Sequence, residues 1–114
     1  MSEDIAWAAG FFEGEGHVKC VKRNNKKRTD RYFSIEVAQV YREPLDKLQT
    51  IFGGKVYGPY GPYSNNRQPY YQYVLYGQPA IVAVQYMMPY LYRKGKQCEA
   101  ALTDWKEYQH EKQT

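Results

Sequence analysis

The stretch Trp7-Ala8-Ala9-Gly10-Phe11-Phe12-Glu13-Gly14-Glu15-Gly16 constrains this chain more than any other. It begins as a helix and ends on an acid held between two glycines. Ser2 suits an N-cap, and Glu3 and Asp4 stand where the positive end of a helix dipole favours acids. Ile5, Ala8, Ala9 and Phe12 recur at i, i+3, i+4 and i+7, which makes one helical face. Part of that face is unusually small. Ala9 and Gly10 leave room for another backbone to approach closely. Gly14 and Gly16 then break the helix, so Glu15 projects from its last turn or just beyond. A helix C-terminus carries partial negative charge, and a carboxylate there calls for a compensating cation. Taken alone, Gly-Glu-Gly also fits a solvated turn or a partner for a nearby lysine.

The rest of the chain alternates strands and helices. His17 to Arg23 reads as a strand, Asn24 to Arg28 as a polar turn, and Arg31 to Val40 as a second strand. In that second strand Phe33, Ile35 and Val37 share one face, and Tyr32, Ser34, Glu36 and Ala38 the other. The pair is a long hairpin with a basic tip: between Lys19 and Arg31 there are seven basic residues and one acid, Asp30. Such a run also fits a solvated loop, but a two-stranded ribbon with a polar face is the right size for a DNA major groove.

Arg42 to Phe52 follows as a helix with Leu45, Leu48, Ile51 and Phe52 as its buried stripe, stopped by Gly53-Gly54. Lys55 to Gly58 and Tyr70 to Tyr76 are the third and fourth strands, joined by a Gly- and Pro-rich loop. Within that loop Ser64-Asn65-Asn66-Arg67-Gln68 offers hydrogen-bonding groups to phosphates or bases, although the composition is ordinary for a loop. Pro79 to Met88 is a third helix. Arg93 opens a last one, with Cys98, Ala101, Leu102 and Trp105 as its apolar stripe.

The expected fold is therefore α+β, in the order αββαββα plus a C-terminal helix, with helices on one face of a four-stranded antiparallel sheet. At 114 residues, positions 1–114 make a single domain. No apolar run approaches the ~20 residues of a membrane span, and nothing resembles a signal peptide. Cys20 and Cys98 lie far apart and make no metal-type spacing with His17 or His110, so both read as reduced thiols. The other sheet face is polar, basic and rich in the chain's thirteen tyrosines, which suits a large wet interface.

Ala8 to Gly16 resembles the nine-residue LAGLIDADG motif of homing endonucleases. Ala9, Gly10 and Gly16 match its second, third and ninth letters, and Phe11 and Phe12 fill its apolar positions. Glu13 and Glu15 stand at its two acidic positions, each as Glu for Asp. Ala8 replaces the first Leu and Gly14 the seventh Ala. The αββαββα order matches that family's core over essentially the whole chain. Leu45-Asp46-Lys47-Leu48 with Phe52-Gly53-Gly54 looks like its second helix and glycine stop.

The resemblance implies a site-specific, metal-dependent DNA endonuclease of the intron-homing kind. Family members with one motif copy are homodimers, and this chain has one copy. Ala9, Gly10 and Glu13 are expected at the dimer interface, with both Glu15 carboxylates at the dyad. Mg²⁺, with Mn²⁺ as a substitute, is expected on Glu15 and the Gly14 carbonyl, with no small-molecule cofactor. Gln39 would order water, and Lys94 would sit near the scissile phosphate; Lys96 is the alternative, because one gap exchanges them. Strand parity gives His17, Lys19, Val21, Arg23, Tyr32, Ser34, Glu36, Lys55, Tyr57, Gln72 and Val74 as candidate base readers, and a one-residue slip reverses the set. Lys22, Lys26, Lys27, Arg28, Arg31 and Arg67 are expected nearer phosphate or the loops. Two half-sites one turn apart imply a near-palindromic duplex footprint on the order of 20 base pairs, with cuts leaving 3′ overhangs in an intracellular, DNA-containing compartment. Two rivals stay open: a non-cleaving DNA- or RNA-binding protein on the same fold, and a protein–protein module using the tyrosine-rich face.

Overall fold

The structure is a computed structural model that describes residues 2–24, 29–62 and 67–113. Its elements are α1 (Ser2–Glu15), β1 (Gly16–Asn24), β2 (Thr29–Gln39), α2 (Arg42–Phe52), β3 (Lys55–Tyr60), β4 (Tyr70–Tyr76), α3 (Gln78–Met87), a 3-10 turn (Met88–Tyr90) and α4 (Arg93–Gln113). The four strands form one antiparallel sheet in the order β1-β2-β4-β3. The α+β order is the expected one, and the element bounds differ from the expected ones by a residue or two. No helix among the described residues is long and apolar enough to cross a membrane.

Alternation decides which face of the sheet is buried. Phe33, Ile35 and Val37 from β2 and Tyr73 and Leu75 from β4 join a single core with α1, α2, α3 and α4. Val18 and Cys20 from β1 pack against it. Side chains at i, i+2 and i+4 share a strand face, so His17, Lys19 and Val21 point away from the helices. Each fully buried Phe, Ile, Leu or Met side chain contributes about 1.5–3 kcal/mol. That sum is what holds the four strands against the helices.

Helix α1 delivers the motif. Ala8, Ala9 and Phe12 are buried in the protein's own core, where two alanines allow the helix to lie close over the sheet. Ala9 was expected at a dimer surface, and the structure corrects this. It shares the inward stripe with Phe12, whereas Gly10 lies about 100° further round the helix. The exposed small residues are Ala6, Gly10 and Gly14, spaced at i, i+4 and i+8. A Cβ added at Gly10 or Gly14 would meet nothing within 4 Å.

Gly16 is different. A Cβ there would fall 2.1 Å from the ring of the buried Phe12, so the chain can turn from α1 into β1 only without a side chain. Gly16→Ala is expected to destabilise the fold by about 1–3 kcal/mol, the usual cost of overpacking a core. A denaturant melt reads this directly, and an unchanged midpoint would contradict the packing.

The remaining helices are tied down locally. Gly53, at φ 83°, donates its N–H to Gln49 O at 2.8 Å and ends α2. The buried Tyr73 hydroxyl donates to Gly53 O at 2.7 Å and fastens that turn to β4. Gly77, at φ 73°, donates to Phe33 O at 2.9 Å between β4 and α3.

Candidate active site and nucleic-acid interface

The strand register arranges the outward residues in rows. One row runs His17, Glu36, Val74, Lys55 across all four strands. Beside it lie Lys19, Ser34 and Tyr76, then Val21 and Tyr32. On the other side lie Ala38, Gln72 and Tyr57. His17, Lys19, Val21, Lys55 and Tyr57 are exposed, and Tyr32, Glu36 and Gln72 are half-buried. Every base-reader candidate with a described side chain therefore falls on one continuous face. For Arg23 only the backbone is described, in the same parity. Tyr76 belongs to this face too and is 56% exposed; counting on by two from Gln72 and Val74 identifies it.

This face has internal electrostatics. Lys19 Nζ lies 3.0 Å from Glu36 Oε2, and hydrogen bonding to that carboxylate pushes the Lys19 ammonium pKa up. Ser34 is fully buried beneath its neighbours, and its hydroxyl has no hydrogen-bond partner among the described residues. A buried hydroxyl left in this way costs about 1–3 kcal/mol.

The basic cluster divides between the two faces. Lys22 and Arg31 oppose each other across β1 and β2, in the parity of Cys20 and Phe33. They therefore stand on the helix side of the sheet, not among the outward rows. Arg31 Nη1 is 4.0 Å from Asp104 Oδ2 on α4, and burial pushes the Cys20 thiol pKa up although the Arg31 guanidinium opposes this. Lys26, Lys27 and Arg28 lie outside the described residues, as do positions 63–66 of the second loop. Arg67 is exposed just before β4.

The motif ends at the edge of the polar face. Glu15 closes α1 as an exposed residue, and β1 starts at the next position. Lys94, 78 residues beyond Gly16 in the chain, donates an Nζ hydrogen bond to the Gly16 carbonyl. Its ammonium lies 5.8 Å from the centroid of the Phe12 ring. Lys96 is exposed, and of the two lysines it is Lys94 that reaches the motif. Gln39 closes β2 two residues past Val37, the partner of Gly16. Its Oε1 accepts from the Val40 N–H at 2.8 Å.

Glu13, expected at a dimer surface, is engaged within its own chain. Its carboxylate accepts hydrogen bonds from the backbone N–H groups of Tyr92 at 3.2 Å, of Arg93, and of Lys94 at 3.3 Å. Burial opposes its ionisation, but these donors and the Lys94 charge outweigh it and hold the carboxyl below its usual range. Two cysteines complete the inventory, both free. Burial, with the Glu13 charge, pushes the Cys98 thiol up to about 11, so it is neutral near pH 7. No group of three or more His, Cys, Asp or Glu that could hold a metal occurs among the described residues. Of the two carboxylates in the last turn of α1, Glu13 is taken up by the N–H groups of Tyr92, Arg93 and Lys94, and Glu15 is the exposed one.

No family model matches this chain, and no curated protein does. Solved structures do. The homing endonuclease I-CvuI, in complex with its target in the presence of calcium, superposes with a TM-score of 0.78 at 21% identity, over 97% of this chain and 71% of that one. The archaeal intron-encoded homing endonuclease I-Vdi141I, complexed with DNA, gives 0.69 at 16% identity, over 87% of this chain and 64% of that one. The meganuclease I-SmaMI, bound to uncleavable DNA, gives 0.66 at 18% identity, over 90% of this chain but only 38% of that one. This polar sheet with a helix-borne acid at its edge is the fold of the LAGLIDADG homing endonucleases.

Proposed function

We propose that the protein is a homodimeric, site-specific DNA endonuclease that hydrolyses both strands of a near-palindromic duplex. One observation carries this reading. The fold brings the Lys94 ammonium onto the carbonyl of Gly16, the residue that follows the exposed Glu15, where α1 runs into the first strand of the sheet. A carboxylate and an ammonium at the edge of a nucleic-acid-sized surface are what phosphodiester hydrolysis requires.

Glu15 and the free last-turn carbonyls of α1, Gly14 among them, are hard oxygen donors of the kind Mg²⁺ or Mn²⁺ takes. One protomer supplies too few, so the fit is completed by the same residues of a second copy. There α1 offers Ala6, Gly10 and Gly14 as a face that allows close approach about a dyad. A divalent ion supplies charge stabilisation and acidifies a bound water. Lys94 stabilises charge developing on the phosphate, and Gln39 orders water. The outward rows meet base edges: Lys19 and His17 offer donors, Glu36 accepts, and Gln72 does both.

Related structures hold their DNA targets, which favours nucleic acid over a protein partner on this face. The two differ in salt dependence. Binding to a duplex pool is expected to weaken about 10³–10⁵-fold between 50 and 200 mM salt, the response of six to ten phosphate contacts. Fluorescence anisotropy over that range checks it. A nearly flat dependence would instead support a protein–protein surface.

A further inference from the structure

The start of α4 is electrostatically unfavourable as a sequence. Its first turn holds Arg93, Lys94 and Lys96 and no acid, although the N-terminal end of a helix is its positive pole. Its leading N–H groups also need acceptors from outside the helix. The anion that resolves both problems comes from α1. Glu13 accepts from the N–H groups of Tyr92, Arg93 and Lys94 at once, so one carboxylate fixes three consecutive residues of a segment about 80 positions away. From the third of those residues the Lys94 side chain turns back to the Gly16 carbonyl. Glu13 and Gly16 thus hold Lys94 at both its ends, by backbone and by ammonium. One turn further on, Cys98 is fully buried, so α4 is anchored beneath the clamp.

We propose that Glu13 is a positioning residue: it clamps the N-terminus of α4 to α1 so that the Lys94 ammonium is held at the carbonyl of Gly16, the residue that follows Glu15, and it sets cleavage rate without touching substrate. This rests on the endonuclease reading above for its catalytic consequence, but not for its geometry. A carboxylate serving only as a helix cap would stabilise α4 and leave the lysine's reach unchanged in any folded variant. A positioning carboxylate ties the two together.

Two arms test this. The first needs no DNA. In the metal-free protein, the ¹⁵Nζ and ¹³Cε resonances of Lys94 are expected to report a held ammonium in the wild type. In Glu13→Gln, with the fold intact by backbone spectra, they are expected to move to free-lysine positions. A Lys94 signal identical in both proteins would overturn the proposal. The second arm is a double-mutant cycle on single-turnover cleavage and duplex binding. Glu13→Gln and Lys94→Met are each expected to slow cleavage at least tenfold with binding within threefold, and the double variant is expected to be no slower than Lys94→Met. Multiplying effects would overturn it. Should Glu13→Gln fail to fold, Glu13→Asp, which keeps the charge and shortens the reach by one methylene, enters the same comparisons. If the wild type cuts no DNA at all, the endonuclease reading fails, while the resonance arm still decides whether Glu13 places Lys94.

Discussion

Glu15→Gln is expected to slow duplex cleavage by about a thousandfold or more, roughly 4 kcal/mol of transition-state stabilisation, while site-specific binding stays within about threefold. The substitution keeps the shape of the side chain and removes its charge. Glu15 is exposed and makes no hydrogen bond or ion pair among the described residues, so the fold does not depend on it. Its loss therefore removes one function, the oxygen donor at the end of α1, and little else. Cleavage assays and anisotropy on one duplex, with melting of both proteins as a control, measure all three quantities. Cleavage reduced less than tenfold would remove Glu15 from the chemistry.

Gly10→Leu is expected to separate folding from assembly. Nothing lies within 4 Å of the Cβ position at Gly10, and leucine is a better helix former than glycine by up to about 1 kcal/mol. The monomer should therefore melt no lower than the wild type. In the proposed dimer, two α1 helices crossing at Ala6, Gly10 and Gly14 would have no room for the new side chain, so dimerisation is expected to weaken at least about a hundredfold, near the upper end of overpacking costs. Sedimentation equilibrium reads the dimer, and a thermal melt reads the monomer. A dimer of unchanged affinity would move the interface elsewhere.

Much of this architecture is legible in the sequence because it is written in short periods. Alternation in Tyr32 to Val37 fixes which residues of β2 face the helices, and the register carries that choice across to β1 and β4. The same rule separates Lys22 and Arg31 from Lys19 and Val21, but a cluster of seven bases reads as one patch when only its composition is weighed. Ala9 and Gly10 show a different limit. Two adjacent small residues are equally compatible with a core and with a partner, and only the placement of Phe12 and α3 decides that Ala9 points inward. Glu13 was not legible in this way. Its three donors lie some 80 residues away, and nothing near Glu13 in the chain announces them. The signal sits instead at the other end, in a helix start that carries three cations and no acid.

The most direct test is a selection on a randomised duplex library with the wild-type protein and Mg²⁺, sequencing both the bound and the cut fractions. Enrichment of one near-palindrome, cut on both strands about its centre only when metal is present, is the expected result. Enrichment by binding with no cuts would leave a sequence-specific binding protein on this fold, and no enrichment of any duplex would contradict DNA as the partner of the sheet.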